Sequence, residues 1–243
     1  MFKFNTLTYG DPRHPPLIFL HGFLGGKEDW GEMFPFFEKE FFCIAFDLPG
    51  HRSTPYCDQI LSALKIAIHK ICSIKPILIG YSMGGRIALQ LQECAAAMVI
   101  LSAHTGLATR TEREHRRQID KQWQKKLITL PFDTLLAEWY AQPIFHSFSL
   151  SQQIVKRRMK QNPKDLARVM QQLSLADQPH ITEFLCPTLF IYGEEDLKYR
   201  ELYCKLPKTV SVRSIKKCSH CVHLENAPDC AKEILNWAWF KHG

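Results

Sequence analysis

Long apolar runs are absent. No segment of the 243 residues approaches the roughly 20 apolar positions that a membrane-spanning helix needs, so no membrane insertion is expected. The opening stretch, Met1-Phe-Lys-Phe-Asn-Thr-Leu-Thr-Tyr9, has no apolar core followed by a small-residue cleavage site, so the expectation is a cytoplasmic protein without a secretory leader. No internal repeat or low-complexity tract interrupts the chain. A framework of paired cysteines is missing too. The nine cysteines are odd in number, follow no spacing pattern, and sit in a chain too large to need staples, which points to free thiols in a reducing compartment. What remains is one ordinary globular domain, 46% hydrophobic and 23% charged, long enough to bury a substantial core.

Other absences narrow the chemistry. There is no long Lys/Arg run, no helix-turn-helix and no zinc-finger spacing, so nucleic acid is not an expected partner. Cys218-x-x-Cys221 has no second Cys/His pair at a matching distance, and a structural metal needs four ligands, so no metal is expected. Gly25-Gly26-Lys27 lacks the spacing of a phosphate loop, which excludes a nucleotide site there. No cofactor is called for. The expected partner is a small molecule, and the expected assembly is a monomer or a weak homo-oligomer.

What is present begins with an alternation. Apolar, β-rich runs at Leu17–Leu20, Phe41–Phe46, Ile77–Ile79, Met98–Leu101 and Thr188–Tyr192, with a weaker one at Val210–Ile215, predict strands. Helical patterns fall between or after them at Ile60–Ile71, Gly84–Cys94 and Ala227–Trp239, and Phe4–Tyr9 reads as an edge strand. Continuous apolar strands separated by helices predict an α/β fold, a mostly parallel sheet with helices on both faces. From His104 to His180 the alternation stops. That stretch reads as helices only, at Thr111–Lys126, Phe132–Tyr140, Ser151–Gln161 and Pro163–Ser174. The expected organisation is a core of residues 1–103 and 181–243, with a helical cap of residues 104–180 inserted between core strands.

The most informative string is Gly80-Tyr-Ser82-Met-Gly84. It follows an apolar strand and opens a helix, which is the context a nucleophile elbow requires. Flanking glycines leave room beside a strained, exposed serine, and the helix N-terminus behind it favours developing negative charge. A serine hydroxyl is a poor base or nucleophile until a histidine takes its proton and an acid orients that histidine. In the required order, Asp196 follows the strand Thr188–Tyr192, with Glu194 and Glu195 sharing its loop. His220 follows the last strand, with His223 as the alternative. The oxyanion hole is expected from the backbone N–H groups of Met83 and Phe23, while the rings of Phe23, Trp30 and Phe34 pack.

The arginines add a substrate class. Of the net +7, nearly all lies between His104 and His180, where 13 Lys and Arg face 7 Asp and Glu. Arg86 stands one helical turn after Ser82 and is expected on the same face. A planar guanidinium there suits a substrate carboxylate, with a salt bridge to a cap acid as the bland alternative. Arg113, Arg116, Arg117 and Asp120 share one cap helix, Arg116 and Asp120 being spaced to touch, and Arg157 and Arg158 lie on another. Most of these are expected in solvent. Two turned inward make a polyanion site. Trp139 and Tyr140 either anchor the cap or floor the pocket.

These blocks together resemble one family within the α/β-hydrolase fold, the 2-succinyl-6-hydroxy-2,4-cyclohexadiene-1-carboxylate (SHCHC) synthases, or MenH family. The resemblance runs through His21-Gly-Phe23, Asp47-Leu-Pro-Gly-His51, Gly80-Tyr-Ser-Met-Gly-Gly-Arg86, Glu112-Arg-x-x-Arg116-x-x-x-Asp120 and Trp139-Tyr-x-Gln-Pro143-x-Phe145. It continues through Arg158-x-x-Gln-Asn162, Leu173-Ser-Leu-Ala176-x-Gln-Pro179, Gly193-Glu-x-Asp196 and His220-x-x-His-x-Glu-Asn226, so it spans nearly the whole chain. It implies a menaquinone-pathway lyase, not a hydrolase, with Ser82, Asp196 and His220 as a triad in which the serine is a general base. Pyruvate is eliminated from 2-succinyl-5-enolpyruvyl-6-hydroxy-3-cyclohexene-1-carboxylate, and Tyr81, Arg86, Arg116, Trp139 and Arg158 line the substrate site. No metal or organic cofactor is implied. A carboxylesterase or thioesterase for a small anionic ester is the alternative. Two departures stand out. Arg52 replaces the last glycine of the family's Pro-Gly-His-Gly, which costs about 1 kcal/mol if the position needs positive φ and predicts a remodelled loop at His51. The short spacing after Trp139 leaves Arg157 or Lys160 as alternatives to Arg158.

Overall fold

The structure is a computed structural model that describes residues 2–237. The edge strand β1 (Thr6–Tyr9) is followed by β2 (Pro16–Leu20), β3 (Phe42–Phe46) and α1 (Ile60–Ile71). Next come β4 (Ile77–Tyr81), α2 (Met83–Gln90) and β5 (Ala97–Leu101). Four helices then follow without a strand: α3 (Arg110–Thr129), α4 (Phe132–Tyr140), α5 (Gln152–Arg158) and α6 (Pro163–Gln172). The chain returns through β6 (Thr188–Gly193), α7 (Leu197–Tyr203), β7 (Ser211–Ile215), α8 (Val222–Glu225) and α9 (Ala227–Leu235). The expected helix Gly84–Cys94 breaks after Gln90, and a separate 3₁₀ turn, Gln92–Cys94, leads into β5. The end of the helix expected to reach Trp239 lies outside the described residues.

The strands form one sheet in the order β1-β3-β2-β4-β5-β6-β7, parallel except for β1, which pairs antiparallel with β3 at the edge. Period-two side chains divide its core. Leu17, Phe19, Ile77, Ile79, Val99 and Ile191 face α9 and the Trp30–Phe37 turns. Ile18, Leu78, Ile100 and Phe190 face α1, α2 and α7. Both faces are apolar because helices cover both, as a parallel sheet requires.

The helices between β5 and β6 bury a smaller cluster of their own, Leu127, Leu135, Leu136, Leu166 and Met170, with Leu24 contributed by the loop after β2. Local chemistry sets their ends. Thr109 and Glu112 form a reciprocal capping box at α3, Thr109 Oγ1 accepting from Glu112 N at 3.2 Å and Glu112 Oε2 accepting from Thr109 N at 2.8 Å. Asn162 caps α6, which packs along α3. No described helix is long and apolar enough to cross a membrane.

Candidate active site

The parallel strands β4, β6 and β7 end on one edge of the sheet, and the loops there carry Ser82, Asp196 and His220. Ser82 joins β4 to α2 with φ 50 and ψ −109, a left-handed conformation that an L-residue holds only under constraint. Two glycines make the turn feasible. A Cβ at Gly84 would lie 2.0 Å from Leu20 O, and one at Gly80 would lie 2.5 Å from Gly84 O. The serine's own N–H donates to Leu101 O at 2.8 Å.

His220 Nε2 lies 3.2 Å from Ser82 Oγ, and His220 Nδ1 lies 3.0 Å from Asp196 Oδ2. With Asp196 ionised, Nδ1 carries the proton it donates, which leaves Nε2 to accept from the serine hydroxyl. Asp196 divides its oxygens: Oδ2 faces the imidazole, while Oδ1 caps α7 by accepting from Tyr199 N at 3.2 Å. Helix start and histidine orientation therefore depend on one carboxylate. Burial of Asp196 and His220 keeps water from competing for these bonds. His223, the alternative, stands elsewhere. It is buried between Trp30 and Tyr81, with ring centroids at 4.5 and 4.4 Å and no hydrogen-bond partner among the described residues. Desolvation pulls its pKa down to about 3.

Ser82 and His220 open into a cavity of about 290 Å³. Phe23, Met83, Arg86, Arg116 and Trp139 line it as well. Met83 is the first residue of α2, so the helix leaves its N–H without an internal partner. Arg86 donates to Leu173 O at 2.8 Å and Gln178 Oε1 at 3.3 Å, both neutral acceptors, so the salt bridge to a cap acid is not what holds it. Desolvation, and then the neighbouring Arg116 charge, bring its pKa down to about 10. Arg116 does touch Asp120, Nε to Oδ1 at 2.7 Å, and Asp120 also accepts from Ser174 Oγ at 2.6 Å.

Two residues expected on this wall are elsewhere. Tyr81 is buried with its hydroxyl 3.0 Å from Cys221 Sγ, and it borders a separate void of about 20 Å³. Arg158 borders the same void and is 3% exposed. Its NH1 and NH2 bond Asp29 at 2.9 and 2.8 Å, and its Nε donates to Tyr140 OH at 3.0 Å. The alternatives do not replace it: Arg157 donates to Glu28 O at 3.1 Å, and neither Arg157 nor Lys160 lines the Ser82 cavity. The planar fork found a protein carboxylate, and that partner, 129 residues away, leaves no trace in local spacing.

Arg52 does sit at positive φ, +55°, and its hydrogen bonds tie the loop after β3 to the helices between β5 and β6. Its N–H donates to Gln161 Oε1 at 2.8 Å, its NH2 reaches Glu28 Oε1 at 3.2 Å, and its NH1 donates to Arg157 O. His51 is wholly buried beside His21 and Phe23. Arg113, expected in solvent, ties the chain before α3 to the chain after α6 through Leu107 O, Ala176 O and Gln178 O. Sequence reasoning overlooked three groups: Asp29, His104 and Lys198. His104 lines the cavity as a neutral ring, its pKa brought to about 4 by desolvation and then by Lys198 and Arg86. Lys198 lines it from α7. Its place two residues after Asp196 was the available signal.

Residues 17–233 match the Alpha/beta hydrolase family. The chain is 33% identical over 236 residues to the 2-succinyl-6-hydroxy-2,4-cyclohexadiene-1-carboxylate synthase of Citrobacter koseri, covering 89% of this chain and 91% of the relative. It is 31% identical over 234 residues to the synthase of that name from Escherichia coli K12, with 90% and 91% covered. Among solved structures, MenH from S. aureus superposes with a TM-score of 0.90 at 24% identity over 98% of this chain and 99% of that one, a likeness of fold. A thermophilic esterase from Thermogutta terrifontis, malate bound, gives 0.75 at 18% identity over 100% and 95%.

Proposed function

This chain belongs to the alpha/beta hydrolase family and, within it, to the 2-succinyl-6-hydroxy-2,4-cyclohexadiene-1-carboxylate synthases, and from that premise we propose a lyase of menaquinone biosynthesis. The substrate is 2-succinyl-5-enolpyruvyl-6-hydroxy-3-cyclohexene-1-carboxylate. His220, oriented by Asp196, takes the Ser82 proton, and Ser82 Oγ removes a ring proton. The C–H electrons become part of the new ring diene, the C–O bond to the enolpyruvyl group breaks, and enolpyruvate leaves with that bond's electrons. The proton held on His220 completes pyruvate. The backbone N–H groups of Phe23 and Met83 stabilise negative charge that develops near Ser82. Arg86 holds a substrate carboxylate, and Arg116, tied to Asp120, lines the same site beneath a cap formed by residues 104–180.

The observation that carries this reading is Arg86, a guanidinium on the Ser82 cavity wall bonded, among the described residues, to neutral acceptors only. An esterase for neutral acyl groups gains nothing from it. A carboxylate substrate supplies the missing charge partner. The test is pyruvate release from the enolpyruvyl substrate, measured beside a panel of p-nitrophenyl esters. Wild type is expected to release pyruvate, and Ser82→Ala to lose about a thousandfold in rate, as removal of a general base does. Brisk ester cleavage without pyruvate release would replace this reading with a carboxylesterase or thioesterase.

A further inference from the structure

The charges around the Ser82 cavity do not balance. Arg116 is offset by Asp120, and both Asp196 oxygens are engaged, one by His220 and one by Tyr199 N. Arg86 meets neutral acceptors only. Lys198 lines the same cavity from the first turn of α7 and forms no ion pair among the described residues. Its Nζ lies 5.7 Å from the centroid of the neighbouring Tyr199 ring. Among the described residues, two cations therefore face one cavity without an ion-pair partner. Arg86 is half-buried, while Lys198 is exposed. Desolvation, and then repulsion from Arg116, lower the Lys198 pKa, while Asp196 opposes the shift. Because the side chain remains open to water, repulsion is the part that an incoming anion relieves.

Taking the proposed reaction as its basis, we propose that Lys198 is a specificity-determining residue that captures a second substrate carboxylate at the cavity mouth while Arg86 holds the first. The site then selects compounds carrying at least two carboxylates over monoanions and neutral esters. A lysine suits the task because a compact ammonium on a flexible stem can follow a ligand in from solvent. Uncompensated positive charge at an opening also steers anions inward, an effect that salt screens. The residue is well placed for coupling. Its helix begins at Asp196, and the neighbouring Tyr199 ring lies 5.1 Å from His220, so a carboxylate on Lys198 is fixed to the element that orients the histidine.

The test combines turnover with a binding measurement that does not require the reaction. Lys198→Gln is expected to raise KM for the enolpyruvyl substrate about tenfold, a screened charge-assisted contact, with kcat changing less than about twofold. Part of the salt sensitivity of kcat/KM should vanish, Lys198→Arg should retain it, and Lys205→Gln, in a separate depression, should match wild type. Succinate titrated by calorimetry should bind Lys198→Gln about tenfold more weakly, while acetate distinguishes the two proteins little. Unchanged KM and unchanged succinate affinity in Lys198→Gln would overturn the assignment. If wild type releases no pyruvate yet succinate binding still depends on Lys198, the proposed reaction falls and the anion-capturing role stands.

Discussion

Arg158, the last residue of α5, and Arg86, on α2, are two guanidinium groups with opposite surroundings. Arg158, on the seam where α5 meets the loop after β2, is sealed against Asp29 in a bidentate pair. Arg86, on the cavity wall, has a carbonyl and an amide oxygen but no carboxylate. Burial works to lower the Arg158 pKa, yet the Asp29 charge drives it up, whereas for Arg86 burial prevails and the pKa falls. A fold that can place a carboxylate opposite one arginine and leaves the other unmatched has divided structural charge from charge available to a ligand.

Breaking the seam is expected to have the largest effect. Asp29→Leu strands Arg158 as an uncompensated buried charge and should cost about 3–5 kcal/mol of stability in urea unfolding. The double variant Asp29→Leu/Arg158→Met should recover most of that loss, because an apolar pair of similar volume avoids desolvating either charge. If Asp29→Leu unfolds like wild type, the seam is not what holds the insertion down. The cavity side should respond the other way. Arg86→Ala is expected to weaken substrate binding by about 1.5–3 kcal/mol, the worth of a charge-assisted contact, while stability changes by under about 1 kcal/mol. Intact affinity in Arg86→Ala would remove the distinction between the two arginines.

The effect that is smallest per pH unit sharpens the comparison further. His223 packs against Trp30 and Tyr81 and is held neutral to about 3, mainly by desolvation, against an ordinary 6.5. Below 6.5 the unfolded chain takes up a proton that the folded chain refuses, so stability falls on acidification by about 1.4 kcal/mol per pH unit for each such group. His21, His51 and His104 are shifted in the same direction. His223→Phe keeps an aromatic plate there and should remove one proton from the slope between 6.5 and about 3, read by denaturant unfolding at several pH values. An unchanged slope would place that proton on another group.

Much of the fold was legible because it is written in short-range pattern. Continuous apolar runs marked the parallel strands, and the spacing Gly80-x-Ser82-x-Gly84 announced a turn that only glycines permit beside Leu20 and Gly85. Arg116 and Asp120 met as helical spacing dictated. Arg158 did not follow its motif, because nothing near it in sequence reveals that Asp29 stands opposite. Lys198 was passed over because a lone lysine beside an acid loop looks like surface charge until the cavity is seen to open onto it.

The sequence by itself determined the order of strands and helices, the strained serine between them, and the concentration of positive charge in the helices between β5 and β6. These depend on periodicity and on residues within a turn of one another. Only the tertiary structure decided which cations were matched and which were left facing Ser82. A charge partner is fixed by through-space distance across the folded chain, and chain separation carries no record of that distance.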